Sequence, residues 1–127
     1  MLYLYLAAGG VVGTLARYRI GLWVPGWAGA GFPWGTLLIN LIGSFILGFA
    51  TRSAAVLPVS PEVRGMVTIG FCGAFTTFST FTFETVGLLQ QGAWGRGAAY
   101  AFGSLALGLV AMATGLIAAS ILLRTGG

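Results

Sequence analysis

The chain reads as an all-α membrane protein of four transmembrane helices, the third of them broken at mid-membrane. Three observations predict this. Of 127 residues, 57% are hydrophobic and only 6% charged, whereas a soluble domain is about a quarter charged. The apolar residues fall into four runs, at about 2–23, 35–52, 61–91 and 94–123, and about 20 apolar residues suffice to cross the hydrocarbon core. Inside the third run, Thr76, Thr77, Ser79, Thr80, Thr82 and Glu84 interleave with five phenylalanines. Polar groups at membrane depth are costly, and they persist where they face a partner helix or a solute path. One transmembrane domain, acting as a pore or carrier, is the expectation; no separate soluble domain fits.

Composition excludes most other classes. The charged residues are six arginines and two glutamates, with no histidine and one cysteine, Cys72. That leaves no Cys/His cluster for zinc and no Ser/His or Cys/His pair for covalent catalysis, so the chain is not expected to be an enzyme. The net charge of +4 does not imply nucleic acid, because the arginines are scattered singly instead of forming a basic stripe. The first run begins Met1-Leu2-Tyr3-Leu4, without the positive start of a signal peptide, and is expected to be retained.

The first span, about 2–23, carries Gly9 and Gly13 as a small-xxx-small pair that admits another backbone. Arg19 is expected to snorkel to the interface. Arg17 lies deeper; it either snorkels too or is held by carbonyls or a carboxylate. Residues 24–34, with Pro25, Pro33 and several glycines, read as a loop, and Trp23, Trp27 and Trp34 mark the headgroup level. In the second span Thr36, Asn40 and Ser44 form one polar line at helical spacing. Asn40 must place two donors and an acceptor in hydrocarbon. An interhelical hydrogen bond and a donor aimed at a solute are both open to it.

Residues 53–61 read as the second loop, and Ser60-Pro61-Glu62 as a helix start: a cap, a proline at the first helical position and an acid at the positive dipole end. A helix over 61–91 would measure roughly 45 Å at ~1.5 Å per residue, more than the membrane needs. That excess, with Gly70 and Gly73 ahead of a threonine run, predicts a break near 73–79. Backbone freed there survives only if buried in protein or lining a polar cavity. Freed carbonyls suit a hard cation and freed amides an anion. Phe75, Phe78 and Phe81 are spaced to share a face. Ring edges would favour an anion and ring faces a cation; sequence does not choose. Glu84 is either a proton or cation site, or an acceptor for neighbouring hydroxyls or Arg17. In the fourth span Tyr100, Ser104 and Gly108 form a polar and small stripe.

Four spans put Arg52, Arg64 and Arg124 on one side and Arg17, Arg19 and Arg96 on the other. Three against three gives the positive-inside rule nothing to act on. A chain without bias can insert both ways, which permits an antiparallel homodimer with a pathway at the subunit interface.

The runs Gly35-Thr36-Leu37-Leu38-Ile39-Asn40-Leu41-Ile42-Gly43 and Gly70 to Glu84, with its Thr76-Thr77-Phe78-Ser79-Thr80-Phe81 core, closely resemble the Fluc (CrcB) fluoride channels. The resemblance covers essentially the whole chain. It implies a dual-topology, antiparallel homodimer in the cell's inner membrane that conducts fluoride passively through two pores. It assigns Phe78 and Phe81 to ring edges that contact the ion, and Asn40 to the pore asparagine. Thr80, Tyr100 and Ser104 would belong to a hydroxyl track with Glu84 close by, and Arg17 would be the structural arginine of the first span. It further implies a structural Na⁺ on the dimer axis, held by the backbone carbonyls of Gly73 and Thr76. The rival is a small dual-topology, proton-coupled multidrug exporter, but the first span lacks the acidic residue that such a protein would want.

Overall fold

The computed structural model describes residues 1–124, which fold as helices and short connections. Helix α1, Leu2–Ala28, continues through Pro25 instead of ending at Trp23 as the proline-rich loop predicted. Proline forfeits the bond to the carbonyl four residues back, but this close to the end a single lost bond is cheap. The helix stops one turn later at Gly29, whose φ of 86° suits glycine and whose N–H returns to the Pro25 carbonyl. Helix α2, Trp34–Val56, ends as Leu57 turns extended ahead of Pro58.

The third run is not one helix. Ser60 caps α3, Pro61–Gly65, by accepting from the Val63 amide at 3.3 Å, with Pro61 and Glu62 in the first turn. A π-helical segment follows at Met66–Phe71, which the sequence did not signal, and then α4 at Cys72–Phe75. Thr76 (φ −81°, ψ 157°) and Thr77 (φ −149°, ψ 115°) are extended, and α5 resumes at Phe78–Gln90. Gly92, at φ 75°, turns the chain into α6, Trp94–Arg124.

Among the described residues, three segments are long and apolar enough to cross a membrane: Trp34–Val56, Pro61–Gln90 and Trp94–Arg124. Helix α1 is 27 residues long, about 40 Å, with Arg17 and Arg19 diluting its apolarity.

Two backbone-to-backbone seams organise the packing. On the first, Gly9 of α1 lies on the Met66 carbonyl, Gly13 on the Phe71 carbonyl, and Gly70 on the Leu6 carbonyl. A β-carbon at any of these would strike main chain, so the small-xxx-small pair found its partner in the first half of the third run. The second joins α2 and α6, where Gly48 meets Met112 and Gly115 meets the Phe45 carbonyl. Leu37, Leu88 and Tyr100 form the buried cluster between α2, α5 and α6, flanked by Phe32 and Phe81. Much of the exposed surface is apolar: Leu105, Leu109, Ile117 and Ile121 of α6 are more than half exposed. Left in water these side chains would forfeit about 25 cal/mol per Å²; lipid or protein must cover them.

Candidate pore and helix break

The extended pair Thr76–Thr77 redirects a row of hydrogen bonds. In a continuous helix the Thr77 N–H would reach the Gly73 carbonyl; here it donates to Asn40 Oδ1 at 2.8 Å. Asn40 Nδ2 donates back to the Thr77 carbonyl at 3.2 Å, so one carboxamide grips one residue's main chain at both ends. The Ala74 carbonyl, which would have accepted from Phe78, accepts from Arg17 Nε at 3.0 Å. The Thr80 amide, which would have reached the Thr76 carbonyl, goes to Thr77 Oγ1 at 3.2 Å, capping α5. Gly73 and Thr76 thus keep carbonyls whose helical donors have been taken elsewhere. Thr76 also donates its own hydroxyl to the Cys72 carbonyl at 2.8 Å.

Glu84 lies two turns into α5. Its carboxylate accepts from Thr36 Oγ1 and from the Tyr100 hydroxyl, both at 2.7 Å. Tyr100 is 1% exposed. Its ring meets Phe81 at 5.1 Å and 62°, and Phe32 at 5.4 Å and 77°, two edge-type contacts that fix the hydroxyl's direction. Of the alternatives open to Glu84, the structure shows hydroxyl donors; Arg17 is engaged at the break.

Two cavities flank the break. One, of about 560 Å³, is a groove between α2, α5 and α6 that takes in Asn40, Ser44, Thr76, Thr77, Phe78, Phe81 and Ser104. Phe78 is 77% exposed, and its ring centroid lies 5.8 Å from that of Phe81, so the two share a face. The Ser104 hydroxyl is buried and has no partner among the described residues. The other cavity, of about 470 Å³, lies under the α1–α2 connection and includes Arg17, Thr36, Thr77, Thr80 and Glu84. Thr77 borders both. Asn40, Phe78, Phe81 and Ser104 are therefore brought together on one side of the break, and Thr80, Glu84 and Arg17 on the other. Tyr100 stands behind the wall and lines neither. Gly73 is exposed and lines neither, with nothing within 4 Å of where its β-carbon would be.

Thr77 and Phe32 are the residues that sequence reasoning undervalued. Thr77 was visible only as one of many threonines, though Thr77-Phe78-Ser79-Thr80 has the spacing of a side-chain cap. Nothing in the sequence shows that Phe32 folds back onto Tyr100.

Long apolar helices enclosing hydroxyls, a carboxamide and a carboxylate define a multi-pass membrane protein with polar groups gathered at a helix break. The family model described as CrcB-like protein, Camphor Resistance (CrcB), matches residues 4–116. A protein of Thermus thermophilus named fluoride-specific ion channel FluC is 49% identical over 108 residues, 85% of each chain. Proteins of the same name from Chlorobaculum tepidum and Opitutus terrae are 44% and 46% identical, each covering more than 90% of both chains. The chain belongs to the CrcB family.

Proposed function

We propose that this protein is a passive, fluoride-selective channel that exports fluoride across the inner membrane, with all four runs, α1 included, crossing the bilayer. The observation that carries the reading is the groove in which Asn40, Phe78, Phe81 and the partnerless Ser104 hydroxyl converge without any basic side chain. Fluoride is small and strongly hydrated. Conduction requires groups that replace its waters yet release it. A hydroxyl, the remaining amide hydrogen of Asn40 and positive ring edges do this without the grip of a guanidinium. Thr80 and Glu84 continue the polar line beyond the break, and Tyr100, behind the wall, donates its hydroxyl to Glu84.

One chain offers the ion a groove open on its side, and the reading closes it with a second, antiparallel copy, giving two pores. The arginine balance supports that arrangement, as does the exposed Gly73. The carbonyls of Gly73 and Thr76, relieved of their helical donors, suit a structural Na⁺ shared between copies: hard cations take oxygen ligands, and a pair from each chain would supply four. When bound, such an ion contributes a fixed positive potential beside an anion path. Arg17 and Asn40 keep those carbonyls free by holding the break.

Purified protein in liposomes loaded with fluoride is expected to dissipate the gradient once a potassium ionophore shunts the voltage, with no proton gradient and no organic substrate. Absence of flux, together with movement of organic cations against a pH gradient, would establish the exporter instead.

A further inference from the structure

Glu84 is reached from a second direction. A cavity of about 360 Å³ lies on the other side of the loop that closes the 470 Å³ cavity, and Ala30, Phe32, Pro33 and Glu84 line both. The charged residues of this side cavity are Glu84 and Arg96. Arg96 is exposed, on the first turn of α6. Its Nη1 donates to the Gly31 carbonyl at 2.7 Å, and a β-carbon on Gly31 would come within 3.4 Å of that nitrogen. The guanidinium is thus laid against the loop at a defined place, with four of its five N–H donors unused by that bond.

We propose that Arg96 is an outer anion-attracting residue of the pathway, set at the mouth of a second entrance that reaches Glu84 beside the entrance carrying Arg17. The inference rests on the fluoride-channel reading. An ion nearing Glu84 meets a like charge. A cavity of 360 Å³ is roughly 7 Å across, taken as its cube root. That is shorter than the Debye length of about 10 Å at 0.1 M salt. A fixed cation at its mouth therefore acts on an anion anywhere inside. Each entrance pairs the shared carboxylate with one arginine. Arg17 is tied to the break, whereas Arg96 is tied to the loop and is exposed.

Attraction through space and mere latching of the loop differ in their response to salt. In liposomes, Arg96→Glu is expected to lower initial fluoride efflux about 3- to 10-fold at ~10 mM ionic strength, and the deficit to shrink to within about 1.5-fold at ~1 M of an impermeant salt. Arg96→Cys provides a second arm on protein that is already folded. A trimethylammonium methanethiosulfonate should raise its flux, and the sulfonate reagent should lower it. Wild type, whose Cys72 is buried, is the control for both. Wild-type flux from Arg96→Glu at low salt overturns the proposal. So does a loss that ignores salt while the two reagents act alike, since that marks a latch only. Absence of flux from wild type would instead remove the fluoride reading, and this inference with it.

Discussion

Asn40 is engaged at both ends by the main chain of Thr77, so its carboxamide works first as a clamp and only with its spare hydrogen as an ion ligand. Asn40→Asp turns the donor into a second oxygen facing the Thr77 carbonyl. An unmade buried hydrogen bond costs about 1–3 kcal/mol, and the added charge opposes an anion. Fluoride efflux from liposomes should fall at least about 10-fold in this variant, taking ~1.4 kcal/mol as tenfold; near-normal conduction would remove Asn40 from the pore. Tyr100→Phe tests the neighbouring cluster. It keeps the ring between Phe32 and Phe81 but takes one of the two hydroxyls from Glu84. The carboxylate stays part-buried and half-satisfied, so the detergent-solubilised protein should lose about 1–2 kcal/mol, read as a lowered thermal midpoint. An unchanged midpoint would mean that water replaces the hydroxyl at no cost.

The break in the third run is a joint made by three side chains on three elements: Arg17 from α1, Asn40 from α2 and Thr77 at the start of α5. Thr77→Val keeps the shape but deletes the cap on the Thr80 amide, worth about 0.5–2 kcal/mol. Faster amide exchange at Thr80 in the variant, with restoration in Thr77→Ser, is the expected result; equal exchange in all three would show that the cap contributes nothing. The apolar helical character of the chain, the Ser60 cap and the Gly9–Gly13 seam were legible in the sequence, because composition, capping chemistry and small-residue spacing are local signals. The need for a break was legible from excess length. The π-helical turn at Met66–Phe71 was not, because no local pattern encodes it; the turn lies where Gly70 meets α1, a tertiary demand. Pro25 inside α1 was misread because a proline's cost depends on how many helical bonds remain after it. At the site, residue types were readable, but hydrogen-bond partners were not. The fold supplies those partners: hydroxyls for Glu84 and the Thr77 main chain for Asn40.

At the scale of the whole molecule, the position that separates a monomer from a dimer is Gly73. It lies in the short helix α4, exposed, with open space where a β-carbon would project. Within one chain a larger residue there should be harmless or mildly helpful, since glycine costs a helix about 0.8–1.0 kcal/mol relative to alanine. In an antiparallel dimer whose two breaks face each other, the same position is where two backbones approach and where the freed carbonyls of Gly73 and Thr76 must reach a common point. A leucine side chain would hold the copies apart. The two pictures therefore disagree in sign about Gly73→Leu. The dimer predicts that this variant folds, runs as a monomer by light scattering in detergent, resists chemical crosslinking and loses fluoride flux. Gly26→Leu, equally open and exposed but near the end of α1, should leave the dimer intact. A Gly73→Leu protein that remains dimeric and conducts would place the subunit interface elsewhere and leave the carbonyls of the break without a shared cation to hold.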